Sequence, residues 1–397
     1  MNDLRLSLCM IVKDEEASIG RCLSSVKGIV DEIIIVDTGS TDRTVEICQS
    51  FGAHVHSFAW NESFADARNY GLARATGDWI LWLDADEEVD ANDRDKLRDS
   101  RYFHEYDVLQ IQLINYVGNK VDEDKALSIG HFRLFRNNKG FAFVNKIHEW
   151  LNIDKVLSSP EDQKRIGSLP IKFHHYGYLD DVVENKNKFT RNLEMLKKEL
   201  EEEERSPWIH YHIAAEYHRA KQYEKAFEHV NLAVVDFLMA GFTPPSLLYK
   251  LKYSILLTLG SWDGALEGIK RALILYPDYV DLQFYQGVIL YGKEMYEEAL
   301  EAFARCIDLG EDNFNYLIMK GLGSFQAWHC KGHCYEKLGQ TKEAALSYIR
   351  SFQLSPEYTP AIESLADLLQ GEKISLQDVV PEDIDVNTLI QAIQSQS

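Results

Sequence analysis

Proline is scarce in this chain, 9 residues in 397, and glycine, at 23, is unexceptional. Those counts exclude a collagen-like or broadly disordered polypeptide. Six cysteines (Cys9, Cys22, Cys48, Cys306, Cys330 and Cys334) follow no small-domain disulfide framework in a chain this long. Reduced thiols in a cytoplasmic protein are therefore expected. No segment reaches the roughly 18 uninterrupted apolar residues of a membrane span. The N-terminus, Met1-Asn2-Asp3-Leu4-Arg5-Leu6, carries an acid and runs into a strand-like stretch, which is unlike a signal peptide. Cations are also in short supply. Lys plus Arg is 42 and Asp plus Glu is 63, so the formal charge is 42 − 63 = −21. Such a balance repels phosphate backbones and anionic membrane surfaces, and nucleic acid is not an expected partner. A local basic groove for a small anion stays compatible with it.

What is present is an ordinary globular composition, 45% hydrophobic and 26% charged. At about 150 residues per domain, the length predicts two or three domains. Up to about residue 200, short apolar runs alternate with helical patterns. Strands are expected at Leu6 to Val12, Glu32 to Val36, His54 to Phe58 and Trp79 to Leu83, and helices at Ser18 to Val26, Thr41 to Phe51 and Ser63 to Ala75. Strands alternating with helices imply a mainly parallel sheet, and ligands of such sheets sit beyond the carboxyl ends of the strands. Alternating stretches at Val108 to Leu113 and His131 to Phe135 read as antiparallel strands added to that core. The charged run Lys197 to Arg205 reads as a solvated helix end and a boundary.

The second half is helical and repetitive. Ala265 and Ala299 are 34 residues apart, and Ala265 to Pro277 and Ala344 to Pro356 are each 12. Small residues lie 12 positions before the second-helix alanines: Ala214 before Ala226, Gly287 before Ala299 and Gly332 before Ala344. That period marks tetratricopeptide repeats, with units near 207–240, 246–279, 280–313 and 325–358. Tyr253 stands at the small position of the second unit, so that repeat is degenerate. His329-Cys330 and His333-Cys334 place like residues at i and i+4, a spacing zinc can use. The same residues fall on the first helix of the fourth repeat, where buried packing is the expected role. Aromatics such as Trp208 and Tyr211 read mostly as packing residues, with a minority lining a groove. The helical half is expected to dock an extended acceptor or to form a homodimer.

Chemistry is concentrated at the strand ends. Asp84-Ala85-Asp86 leaves the apolar run Trp79 to Leu83, and carboxylates at i and i+2 on such a loop can face one divalent cation and the diphosphate it bridges. Met10-Ile11-Val12-Lys13-Asp14-Glu15-Glu16, Val36-Asp37-Thr38-Gly39-Ser40-Thr41-Asp42 and Leu83-Asp84-Ala85-Asp86-Glu87 come in a fixed order. Ser63 to Asn69, Phe132-Arg133-Leu134-Phe135-Arg136, Ile147-His148-Glu149 and His175-Tyr176-Gly177-Tyr178 accompany them. Together they resemble the family 2 glycosyltransferases of the GT-A fold, in particular the bacterial group of sublancin-type peptide S-glycosyltransferases, over roughly residues 5–200. Appended helical repeats also occur in that group.

The resemblance implies an α/β GT-A domain over 1–200, followed by an all-α tetratricopeptide domain over 206–370 and a tail over 371–397. It implies a UDP-sugar donor, UDP-glucose first among them, and Mg²⁺ or Mn²⁺. Nucleotide contacts are implied for Val12, Lys13, Glu15, Asp37, Arg68, Asp84 and Ala85, with Asp37 accepting from the uracil N–H. Metal contacts are implied for Asp86, Asp84 and His148, with His174 or His175 as alternatives to the histidine. Asp37 and Asp42 also suit turn and cap positions, the role favoured for Asp42. An inverting transfer needs a base for the acceptor proton. Glu149 is the candidate, assisted by His148, with Trp150 suited to sugar stacking; Asp122, Glu123 and Asp124 are the rival carboxylates. The acceptor implied is a Cys or Ser side chain of a peptide. Alternatives are a lipid-linked or cell-surface saccharide or protein as acceptor, and a catalytically dead repeat scaffold.

Overall fold

Four apolar runs and the helices between them build the first half of the sheet. Strands β1 (Leu6–Val12), β2 (Glu32–Asp37), β3 (His54–Ser57) and β4 (Trp79–Trp82) alternate with helices α1 (Ile19–Val26), α2 (Thr44–Ser50) and α3 (Phe64–Leu72). The computed structural model describes residues 4–179, 188–201, 206–372, 375–380, 389–391 and 393. It divides into two compact units, Met1–Val121 with Ser128–Glu203, and Asp122–Leu127 with Glu204–Ser397. Glu202 to Arg205, the end of the charged run, lies outside the described residues, as does most of 371–397.

In the first unit β1 pairs in parallel with both β2 and β4, and β2 with β3. Further strands follow: β5 (Glu87–Val89), β6 (Val108–Gly118), β7 (Leu127–Arg136), the short pair β8 (Phe143–Val144) and β9 (Trp150–Leu151), and β10 (Ile166–Leu179). The strand order is β3-β2-β1-β4-β7-β6-β10-β5. Antiparallel pairing occurs at β4–β7, as the alternating pattern suggests, but β6 and β10 pair in parallel. The connection between those two exceeds 45 residues, ample for a parallel crossover. Strand period sorts the core onto two faces. Leu8, Met10, Trp79 and Leu81 face one apolar cluster with α1, and Cys9, Ile80 and Trp82 face the other with Phe135, Phe141 and Phe143. Helix α1 contributes Ile19, Cys22, Leu23 and Val26, the spacing of one helix face.

The second unit contains the four expected helix pairs: Ile209–Arg219 with Tyr223–Met239, Ser246–Thr258 with Ala265–Leu275, Val280–Gly292 with Tyr296–Leu309, and Phe325–Lys337 with Thr341–Leu354. Small residues are needed where the helices touch. A Cβ on Gly287 would lie 2.6 Å from the Phe303 ring, and one on Gly332 would lie 2.2 Å from the Tyr348 ring. The second repeat reverses the sizes: Tyr253 is large, and Gly268 on the partner helix makes room, its Cβ position 2.6 Å from the Tyr253 hydroxyl. A further helix, Thr359–Glu372, covers the last pair with Ile362, Leu365 and Leu368.

One inserted segment alters the expectation of an open groove. Between the third and fourth pairs, residues 313–320 run along side chains of the second and third repeats. The Leu317 carbonyl accepts from Lys250 Nζ (2.8 Å) and from the Tyr279 hydroxyl (2.7 Å), and the Met319 amide donates to Asp281. Tyr316 stacks on Tyr279 at 4.4 Å, and Ile318 is buried. Both hydrogen-bonding directions of an extended backbone are read by helix side chains. The ligand on that face is the chain itself.

Candidate active site

The loops leaving β1 and β2 are tied to each other. Asp14 lies in the left-handed region at φ 52°, which an aspartate tolerates when its side chain bonds locally. Its Oδ1 accepts from the Thr41 amide (2.7 Å) and hydroxyl, and its own amide donates to Ser40 Oγ. Asp42 accepts from the Thr44 amide and hydroxyl at the start of α2 and from the Glu16 amide; it closes the turn just before the helix, whose N-cap position is Arg43, and is not itself the N-cap. The Glu15 amide donates to Thr44 Oγ1 (2.7 Å). The buried Val12 gives its carbonyl to Thr38, while Lys13 is exposed. Asp37, 9% exposed, accepts from the Ser40 amide (3.0 Å) and more distantly from Gly39, so its carboxylate also closes its own turn.

At the end of β4 five charged side chains form an alternating series. Arg68 projects from α3, whose start is capped by Ser63 Oγ accepting from the Asp66 amide. Its Nε donates to Glu149 Oε1 at 2.6 Å and its Nη2 to Asp84 Oδ1 at 2.7 Å. The other oxygen of Asp84 lies 3.6 Å from Arg133 Nη2, which pairs with Glu87. Both guanidinium carbons lie over the Trp82 ring, Arg68 at 4.5 Å and Arg133 at 3.7 Å from its centroid. The series Glu149–Arg68–Asp84–Arg133–Glu87 joins residues up to 81 positions apart. Desolvation opposes ionisation of Asp84, but Arg68 and Arg133 hold its carboxyl well below the usual range. Burial pushes Glu87 up to about 7, with Arg133 opposing. The neighbouring His131 is pushed down to about 3 by burial and by Arg133, so it is neutral.

Asp86, two residues on, faces β10. Its carbonyl accepts from the Tyr176 amide (3.0 Å), and its Oδ1 lies 3.5 Å from His175 Nε2. The other His175 nitrogen meets Asn115 Oδ1 at 2.7 Å. Burial would lower the His175 pKa, but Asp86 outweighs it and raises it. A Cβ on Gly177 would stand 2.4 Å from Asp86 Oδ2 and 2.5 Å from His175 Nε2, so only glycine lets the strand pass this close. The residues fit a hard divalent cation in the manner of nucleotide-diphosphate sites, where one or two protein ligands are completed by phosphates and water. Among the described residues no three His, Cys, Asp or Glu converge as a complete cage. Asp84 is engaged by two arginines and His174 by Asp90 (2.9 Å) and Tyr116. His148, half-buried at φ 51°, sits beside Glu149. His175, among the alternatives to His148, is the histidine that flanks Asp86.

The remaining candidates separate. Ala85 is buried between the two aspartates, and Trp150 is 39% exposed and so is not core packing. Asp122, Glu123 and Asp124 belong to the second unit, where Asp124 takes the Ser355 hydroxyl. In the fourth repeat His329 spends both nitrogens on Tyr358 and Ser364, which is core hydrogen bonding and not zinc ligation. Arg133, in the Phe132-Arg133-Leu134-Phe135-Arg136 motif, joins this charged series without being among the site residues that the resemblance implies. Its signal was a charge in phase with the buried Phe135 on an apolar strand.

A buried arginine beside Asp-x-Asp at the carboxyl end of a parallel strand, with two further strand-end loops tied together, stands at the edge where such sheets bind their ligands. The family model described as Glycosyl transferase family 2 matches residues 7–156. The N-terminal domain is a family 2 glycosyltransferase domain. A tetratricopeptide repeat model matches 325–358, the fourth helix pair. Proteins similar to this chain include a TPR repeat-containing protein of Synechococcus elongatus, 32% identical over 68% of this chain and 66% of that one. An uncharacterized glycosyltransferase of Rickettsia typhi is 32% identical over 47% of this chain and 65% of its own. The SPbeta prophage-derived glycosyltransferase SunS of Bacillus subtilis is 27% identical over 57% of this chain and 53% of its own. The matches thus span between about half and two thirds of these relatives' lengths. No helix among the described residues is long and apolar enough to cross a membrane.

Proposed function

We propose that this domain transfers a hexose, glucose in our reading, from a UDP-sugar to a Cys or Ser side chain of a peptide, with inversion at the anomeric carbon. The carrying observation is Arg68. Two of its nitrogens are fixed on Glu149 and Asp84, while Nη1 has no protein partner among the described residues, beside Asp84-Ala85-Asp86. A guanidinium held this way is pre-set to receive a phosphate oxygen. In this reading the tied loops at Lys13 to Glu16 and at Asp37 enclose base and ribose. Asp86, with His175 beside it, would hold the divalent cation, whose chemistry is to offset the charge of the departing diphosphate.

Glu149 takes the acceptor proton as the thiol or hydroxyl attacks the anomeric carbon opposite that diphosphate. The carbon–oxygen bond to the diphosphate breaks, a bond to the acceptor sulfur or oxygen forms, and UDP leaves. The resemblance of the strand-end motifs to the sublancin-type peptide S-glycosyltransferases favours a peptide acceptor over a lipid-linked saccharide. The test is mass spectrometry of UDP-hexoses incubated with Mn²⁺ and the intact protein, with Cys- and Ser-containing peptides as acceptors. A hexose-sized mass gain on a side chain, with UDP released, is expected. Absence of UDP release from every UDP-hexose, with or without acceptor, would refute the transferase reading in favour of a repeat scaffold.

A further inference from the structure

Arg133 carries a charge that the core does not need. It is 2% exposed, on a strand whose neighbours Leu134 and Phe135 are fully packed. Its Nη2 serves Glu87 and approaches Asp84, yet Nε and Nη1 are enclosed with no hydrogen-bond partner among the described residues. Buried donors are nearly always satisfied, and a buried ion pair is often no better for stability than apolar residues of the same volume. A guanidinium with two unmet donors is therefore a cost to the fold, and its benefit lies in what it does to its neighbours.

The neighbour that matters is Asp84. A carboxylate facing one arginine tends toward the fork geometry, both oxygens on two guanidinium nitrogens. Here the oxygens are divided. Oδ1 takes Arg68 Nη2 at 2.7 Å, and Oδ2 lies toward Arg133 at 3.6 Å. Arg68 meets Asp84 through one nitrogen and Glu149 through another, and its Nη1 is left over. The same strand fixes the indole against which both arginines lie: Trp82 Nε1 donates to the Phe132 carbonyl at 2.8 Å, one residue before Arg133. We propose that Arg133 is a positioning residue of the donor site: by holding the second oxygen of Asp84 it keeps that carboxylate end-on against Arg68, and so leaves Arg68 Nη1 for the donor's β-phosphate. This rests on the UDP-sugar reading above. It adds that selectivity for a diphosphate over a monophosphate depends on a buried residue that never touches the nucleotide.

The test is isothermal titration of the full chain with UDP and with UMP, each with Mn²⁺. Replacing Arg133 alone strands Glu87, so the informative variant is Arg133→Met with Glu87→Gln. It should unfold at a temperature equal to or above that of the unaltered protein, because unmet donors are removed. UDP should bind roughly tenfold more weakly, the loss of one hydrogen bond between charged groups, while UMP affinity changes by less than about threefold. Should that variant not fold, Arg133→Lys keeps a cation for Glu87 on a shorter arm that draws it back from Asp84, and the same split between UDP and UMP is expected. Unchanged UDP affinity in the folded variant overturns the inference and makes Arg133 a packing residue. Equal losses for both nucleotides also overturn it, since they signal a collapsed site. An unaltered protein that binds neither nucleotide defeats the donor reading itself, an outcome distinct from failure of the variant alone.

Discussion

Two arginine-bound carboxylates at opposite ends of the first sheet, one inaccessible and one partly exposed, are built from the same residue types and do opposite things. Asp107, at the start of β6, is inaccessible and takes a forked pair from Arg165 (2.5 and 2.8 Å), Nε of Arg136 (2.6 Å) and Lys139. Arg136 lies opposite Trp79, the first residue of β4, so this hub sits at the amino end of that strand. Asp84 sits at its carboxyl end. There the ratio is reversed: Asp84, Glu87 and Glu149 share Arg68 and Arg133, and Asp86 lies against His175. At Asp107 one anion saturates three cations and every oxygen is spent. At Asp84 anions outnumber guanidinia, and nitrogens of both arginines stay uncommitted. The first arrangement is complete as it stands. The second keeps donors and carboxylates to spare, which under the proposed function a metal and a diphosphate would engage.

The contrast breaks most easily at Asp86. Asp86→Asn should keep the fold and reduce transfer by on the order of a thousandfold, several kcal/mol of lost charge stabilisation at the leaving group. Chelation of the unaltered protein should have the same effect, and full turnover in EDTA would remove the metal from the mechanism. Asp107→Asn should do the reverse. Three cations lose their anion, so stability should drop by about 3 kcal/mol, as for a broken buried pair, while UDP affinity in the folded protein is unchanged. The cations around Asp107 hold its carboxyl below the ordinary range against the effect of burial. A depressed carboxylate contributes its full stability above the unfolded value of about 4 and loses it as pH falls below that. Melting temperatures between pH 5 and pH 3 should therefore decline less steeply in Asp107→Asn than in the unaltered protein.

How much of this was legible beforehand follows from sequence distance. The strand ends and the Asp-x-Asp were readable because each is a local pattern: an apolar run, then acids on the loop that leaves it. The repeats were readable because a 34-residue period repeats at several positions, and the Tyr253 exception found its reason only in Gly268 of the facing helix. Pairings between distant segments left no local trace. Nothing near Glu149 says that Arg68 will hold it, nor near Arg133 that it will share Asp84 with Arg68. Residues 314–320 fall between the third and fourth units and their role has no local trace, because backbone carbonyls held by Lys250 and Tyr279 have no sequence signature.

Glu149 tests whether the uncommitted charge is catalytic. Glu149→Gln keeps an oxygen for Arg68 Nε, so UDP affinity should persist while transfer to a hydroxyl falls by on the order of a hundredfold, the usual worth of a general base. A thiol acceptor is already partly ionised near neutral pH and should suffer less. Loss of UDP affinity with turnover preserved would make Glu149 an anchor for Arg68 and not a base.

The smallest expected effect sharpens the comparison from the other unit. If residues 313–320 permanently fill the face made by Lys250, Tyr279 and Asp281, that face behaves like the Asp107 hub, complete as it stands, and acceptor docking falls to other repeat surfaces. Tyr279→Phe removes one donor to the Leu317 carbonyl but keeps the ring that stacks on Tyr316. Lys250 and Asp281 still hold the segment, so the loss should be about 1 kcal/mol of stability, one neutral hydrogen bond. UDP affinity and kcat should not change, because neither depends on the repeats in the proposed mechanism. The KM for a full-length peptide should also stay constant, as should its ratio to the KM of a minimal thiol acceptor, both measured by steady-state transfer. A KM that instead falls for the peptide alone would show the segment competing with the acceptor for this face. The face would then resemble the Asp84 site, held partly open for an incoming ligand, and not the Asp107 hub.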